Sequence, residues 1–132
     1  AAAYLKVQPL FLFPAEWISA RMEDIDRQTL DHVPGFQDEA VLRLRIKSLA
    51  EFDVIDSLAD IRTPTLLVSA KDDMLVPAHC SAVLAQGLPS AGHVQFAWGG
   101  HAVNVTDPDG FNQSLLQFLE ARAFVPASSP IQ

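Results

Sequence analysis

Residues 65 to 70 read TLLVSA, a short, continuously apolar and partly β-branched run that begins directly after Pro64. Such a run fits a strand of a parallel sheet buried on both faces, and the proline disfavours helix at Thr63 and opens an extended segment. A polar loop, KDDMLVP, follows; AHCSAVLAQGL (78–88) then reads as a helix and HVQFAW (93–98) as a second strand. Beyond the glycine pair at 99 and 100, a helix is expected from about Pro108 to Arg122, with Phe111, Leu115, Phe118 and Leu119 on one face. Its start is signalled by Asp107 as N-cap and Pro108 at the first helical position. The expected fold class is therefore α/β, built on a β-α-β-α unit of parallel sheet. A two-stranded parallel sheet is a poor free-standing object, because such sheets normally have both faces covered and more strands beside them. The unit reads as the end of a larger sheet.

The amino-terminal half has a helical rhythm and no strand of its own. DEAVLRLRIKSLAEF sets Val41, Leu42, Leu44, Leu49 and Phe52 among charged residues at mostly helical spacing, and FDVIDSLADI offers a further short turn. Breaks are expected at Pro14 and at VPG, residues 33 to 35. The expected division is a helical region over 1–60, the β-α-β-α unit over 61–124, and a disordered tail over 125–132.

A chain of 132 residues supports one core. The formal charge of −7, with arginines such as Arg43, Arg45 and Arg62 interspersed among acids, argues against a nucleic-acid or anionic-membrane partner. No stretch reaches the roughly 20 continuous apolar residues of a membrane span, and QPLFLFP is stopped by prolines on both sides, so it reads as a packed loop or helix start. The single cysteine, Cys80, suits a reducing compartment, with the cytoplasm as the default, and it is expected to be buried and inert. AAAYLKVQ lacks the plan of a signal peptide and an initiating methionine, so the chain reads as a fragment.

Function is sought at the carboxyl ends of the two strands, where open α/β sheets place their sites. A crossover returns the chain to the same end of the sheet, so the loop with Asp72 and Asp73 faces the loop with His101. Strands about 4.8 Å apart allow a carboxylate of one loop to reach an imidazole nitrogen of the other. An aspartate bonded to one ring nitrogen fixes the tautomer and stabilises the imidazolium, leaving the other nitrogen to take a proton. Gly99 and Gly100 supply the close turn before the histidine. Each part has an ordinary alternative: a histidine after two glycines can be a solvated turn residue, and Asp-Asp a solvated loop. Asp72, Asp73 and Asp107 at the strand ends also read, more weakly, as magnesium ligands.

These segments resemble the carboxyl-terminal half of an α/β hydrolase, with PTLLVSAKDDMLVP as the acid segment and GGHAVNVTDPDGFNQSLLQFL as the histidine segment. In that superfamily the acid follows a Gly-x-x-Asp pattern with proline four residues later; counting back from Pro77 selects Asp73, and Ala70 stands where the glycine is usual. QPLFLFPAEW, LVPAHCS and GGHAVNVTDP further resemble the pyrimidine-utilisation D family, the aminoacrylate or carbamate hydrolases of bacterial uracil degradation. The resemblance implies that residues 1 to about 60 form a cap over the site, that His101 and Asp73 are catalytic, and that no cofactor or metal is needed. It makes Trp17, Phe11 and Phe13 candidate substrate-lining residues, with cap-to-core packing as the plainer role for each. His32 could reach the site from the cap but suits an exposed loop, His79 is expected exposed, and Asn104 is expected to serve its loop structurally. No serine lies in a Gly-x-Ser-x-Gly setting, so Ser69, Ser81 and Ser90 are not recruited as nucleophiles. The expected function is thus a hydrolase portion that acts on a small-molecule substrate and supplies acid and base without the nucleophile. The alternative is a non-catalytic module that self-associates through an exposed strand edge or pairs with an amino-terminal half.

Overall fold

The computed structural model describes residues 2 to 123. The tail expected over 125–132 lies outside the described residues, as do Phe124 and the first alanine.

The amino-terminal half is helical, as its periodicity predicts. Five helices run in order: α1 (Ala2–Val7), α2 (Pro9–Leu12), α3 (Ala15–Ser19), α4 (Met22–His32) and α5 (Glu39–Glu51). QPLFLFP resolves into the short α2, with Pro9 at its start, and Pro14 then directs the chain into α3 with extended backbone. The segment at 33–35 separates α4 from α5, and α5 begins on Asp38, whose carboxylate accepts the Val41 N–H at 2.9 Å. A cap of this kind stabilises a helix by about 1 kcal/mol. The pairs Glu39–Arg43 and Lys47–Glu51 stitch the same helix at i,i+4 spacing. A 3-10 turn, Ile55–Asp60, leads into the sheet.

The sheet has two parallel strands, β1 (Thr65–Ala70) and β2 (Ala91–Phe96), joined through α6 (Ala78–Gly87). The register pairs Thr65 with Ala91 and Ala70 with Phe96. β2 therefore starts two residues earlier than HVQFAW suggests and ends before Ala97 and Trp98, which turn away from the ladder. The reason is pairing: β1 offers six positions, and the main chain of Ala91 and Gly92 fills two of them although their side chains carry little hydropathy. β1 is partly or fully buried along its length, whereas His93 and Gln95 on β2 are exposed. α7 (Val103–Thr106) and α8 (Pro108–Ala123) complete the order. Asp107 caps α8 as expected, its carboxylate accepting the Gly110 N–H at 3.1 Å.

The core is thin. Among the described residues only Ile18, Leu58, Ala70, Leu88 and Val103 are buried apolar side chains, while 22 large ones are exposed. Val41, Leu44, Leu49 and Phe52 of the α5 segment are between 41% and 77% exposed and Leu42 is half-buried, so that helix forms with its apolar positions largely uncovered. On α8, Leu115 and Leu119 are exposed as well, and Phe111 and Phe118 are half-buried. An apolar surface this extensive exceeds what a self-sufficient domain usually leaves open. Cys80, expected to be buried, is half-buried in the first turn of α6, with its Sγ 3.7 Å from Nε2 of exposed His79. No described helix is long and apolar enough to cross a membrane.

Candidate active site

The two loops expected to meet do so at the carboxyl ends of neighbouring strands. The ladder continues one step past β1, where Lys71 N–H donates to the Phe96 carbonyl at 3.0 Å, so both loops leave the sheet at the same level. Asp73 then divides its carboxylate between two tasks. Oδ1 accepts the N–H groups of Leu75 at 2.8 Å and Val76 at 2.9 Å, closing the turn that runs into Pro77 and α6. Oδ2 lies 3.0 Å from Nδ1 of His101. The Asp73 side chain is 8% exposed and that of His101 36%, so the acid is enclosed and the imidazole opens outward.

Such an arrangement has a defined chemical capacity. The bonds from Leu75 and Val76 fix the rotation of the carboxylate, so Oδ2 points at the ring without reorganisation. With Nδ1 engaged, Nε2 is the nitrogen placed to accept a proton, and an enclosed carboxylate behind the ring stabilises the imidazolium that results. A cavity of about 110 Å³ adjoins the pair, lined among others by Val68, Ala70, Val76 and Val103. Ser69 and Ser81 also line it, but the Ser69 hydroxyl is bonded to Nε2 of His93 at 3.0 Å rather than to His101.

The backbone before His101 is held from several sides. Gly99 and Gly100 have φ of 139° and 66°, values at which a side chain is strained. Asp72 accepts the Gly99 N–H at 3.3 Å through one oxygen and the Gly100 N–H at 3.0 Å through the other. Thr106 Oγ1 donates to the Gly99 carbonyl at 2.7 Å. The Ala102 N–H donates to the Leu12 carbonyl at 3.0 Å, which ties the histidine loop to the helical half. Sequence reasoning placed Asp72 in the acid loop without its role as acceptor for the glycine pair, and gave no part to Thr106 or the Leu12 carbonyl. The Asp-Asp doublet was the available signal for the first, since only one of two adjacent acids can face the imidazole; a main-chain carbonyl carries no sequence signal.

The aromatic candidates lie apart from the His101 cavity. Phe13 stacks on Trp17 with centroids 4.4 Å apart, and the Arg21 guanidinium lies 4.5 Å from the Trp17 ring centre. Phe13 lines a separate cavity with Leu5, Ile25 and His32, and Phe11 lines another with Tyr4, Val7 and Leu75. Leu75 belongs to the acid loop, so Phe11 reaches that loop without reaching the Asp73–His101 pair. His32 ends α4, exposed, with Nδ1 2.6 Å from the Gln28 carbonyl oxygen, and Asn104 is exposed on α7. Asp72, Asp73 and Asp107, weighed as magnesium ligands, each turn oxygens to backbone N–H groups. Among the described residues no cluster of three or more histidine, cysteine or acidic side chains is arranged to hold a metal ion.

The parallel β-α-β-α unit, with an aspartate and a histidine meeting at its carboxyl edge, defines the class: the fold is that of the carboxyl-terminal part of an α/β hydrolase. Among solved structures, an α/β hydrolase enzyme from a Medee basin deep-sea metagenome, MGS-M2, matches with a TM-score of 0.75 and 27% identity over 89% of this chain and 44% of its own. The enol-lactonase of Burkholderia xenovorans LB400 matches in fold, with a TM-score of 0.75 and 19% identity over 90% of this chain and 48% of its own. In sequence the chain is similar to proteins named "Putative carbamate hydrolase RutD". That of Caulobacter sp. strain K31 is 45% identical over 122 residues, 92% of this chain and 46% of the relative. That of Pseudomonas savastanoi pv. phaseolicola is 49% identical over 123 residues, 91% of this chain and 46% of the relative. The chain thus spans about half the length of the curated relatives it matches. No family model matches it.

Proposed function

We propose that this chain is the acid-and-base-bearing part of a hydrolase that acts on a small carbamate or aminoacrylate-type substrate in pyrimidine degradation. One observation carries the reading: the 3.0 Å contact between Asp73 Oδ2 and His101 Nδ1, with the imidazole opening outward. In this reading Nε2 of His101 takes the proton of the attacking oxygen, serine hydroxyl or water, as that oxygen bonds to the substrate carbon. Asp73 stabilises the imidazolium, which returns the proton to the departing nitrogen so that ammonia leaves; where the attacking oxygen is a serine's, water then attacks the covalent intermediate with His101 again as base, and the serine oxygen leaves with that proton. In this reading a serine as attacking group, and the donors for the developing oxyanion, would come from residues outside these 132, since no serine here stands in a nucleophile elbow. The exposed apolar surface and the edge of β1, unpaired among the described residues, support the same view, because further strands and helices of a complete hydrolase fold would cover them. The substrate class rests on the similarity to the carbamate hydrolases, the helical half is read as their cap, and Trp17, Phe11 and Phe13 are proposed to shape the route to the site from it. We assign the protein to the cytoplasm on its single cysteine.

The test is ammonia release from a carbamate or aminoacrylate substrate by the full-length protein containing this chain. His101→Ala should lower kcat/KM by at least about a thousandfold. Turnover near the unsubstituted level would remove His101 from the role of base and favour a non-catalytic module.

A further inference from the structure

The two adjacent aspartates of the acid loop have different partners, and the difference assigns a role to the one the reaction does not use. Asp73 keeps one oxygen for the imidazole. Asp72 keeps none: both its oxygens accept main-chain N–H groups of the opposite loop, from Gly99 at 3.3 Å and Gly100 at 3.0 Å. Those two residues immediately precede His101 and sit at positive φ, one of many conformations open to a glycine pair, so contacts from outside the turn are what select it. An alternative turn would swing the His101 Cα and carry its ring away from Asp73. A carboxylate that bridges successive N–H groups opposes this, since a charged acceptor makes stronger bonds than a neutral one. The clamp also crosses between the loops after β1 and β2, so it sets the distance between the Asp73 and His101 backbones as well as the shape of the turn.

We propose that Asp72 is a positioning residue, which holds the Gly99–Gly100 turn and thereby aims His101 at Asp73. The inference rests on His101 acting as the base. Asp72 itself touches neither substrate nor reacting atoms. Its removal should therefore lower the rate of the chemical step and leave substrate binding nearly untouched. Asp72→Asn keeps one acceptor oxygen for the Gly100 N–H but lacks the second and the charge, so it should fall between the native residue and alanine.

The experiment uses the full-length protein and two readouts. The first is steady-state ammonia release by Asp72→Ala, Asp72→Asn and His101→Ala. The second is the downfield proton resonance of His101 Nδ1 in the resting protein, assigned by its loss in His101→Ala. Expected for Asp72→Ala is a kcat roughly 10–100-fold lower with KM within about twofold, and a Nδ1 resonance that is shifted or broadened away. Asp72→Asn should give intermediate values of both, and it carries the test if the alanine variant does not fold. Native kcat and an unchanged resonance in either folded variant would overturn the inference, as would a loss of thermal stability with kcat intact below the melting range. If His101→Ala keeps its turnover, the base assignment fails separately, and a Nδ1 resonance lost in the Asp72 variants still supports the positioning of the ring.

Discussion

Replacing Gly100 by alanine tests whether the helical half and the histidine loop are one packed unit. A methyl group at Gly100 would lie 2.8 Å from the Leu12 carbonyl oxygen, 3.1 Å from Pro14 Cδ and 3.3 Å from the Phe13 Cα. These are main-chain and ring atoms with little freedom to move, and the Leu12 oxygen is the acceptor of the Ala102 N–H at 3.0 Å. Two costs add. Holding alanine at φ of 66° costs about 1–2 kcal/mol, and displacing Leu12 forfeits a hydrogen bond whose net contribution is about 1 kcal/mol. The sum, about 2–3 kcal/mol, should lower Tm by roughly 5–10 °C in a protein about twice this length. Thermal denaturation followed by circular dichroism reads this directly, with Gly35→Ala as control. A methyl at Gly35 meets nothing within 4 Å and its φ is not positive, so that variant should melt within about 1–2 °C of the parent. Activity should fall along with stability in Gly100→Ala, because the strained residue directly precedes His101. Equal melting of the two variants, with native turnover in both, would refute the packing of Leu12–Pro14 on the turn.

Other substitutions probe the site piece by piece. Asp73→Asn should lower kcat by roughly 10³–10⁴-fold in the ammonia-release assay, because the bonds from Leu75 and Val76 keep the amide oxygen and present an N–H group to Nδ1, favouring the wrong tautomer. Thr106→Val keeps the shape but loses the 2.7 Å bond to the Gly99 carbonyl, and urea denaturation should show a loss of about 1 kcal/mol. Asp107→Ala removes the cap of α8 and should cost about 1 kcal/mol in the same measurement, with kcat unchanged.

The sequence was most legible where side chains alone decide the structure. TLLVSA is legible as a strand because the run is mostly apolar and partly β-branched, as its partial to full burial requires, and Asp107-Pro108 starts a helix through local bonds that need no distant partner. Asp73 and His101 were legible as a pair because topology brings consecutive parallel strands to one end, whatever the rest of the fold does. Legibility failed where main-chain groups decide. The first two residues of β2, Ala91 and Gly92, enter the ladder through their peptide groups, and their small side chains give no periodic signal. The Asp72 clamp and the Leu12 carbonyl bond likewise join a side chain or carbonyl to N–H groups far along the chain, which every residue except proline possesses. The apolar positions of α5 mark a helix correctly but not a covered one, because hydropathy records that a face requires a partner without recording where that partner lies.

The central claim is that Asp73 and His101 act as one acid–base unit, and a double-mutant cycle on kcat tests it most directly. If they do, Asp73→Asn adds little to His101→Ala, since an acid that acts only through the imidazole has nothing left to orient. The combined variant should then turn over within about threefold of His101→Ala alone. Losses that multiply, with the double variant slower by the product of the two single effects, would mean that the residues work independently and would contradict the account.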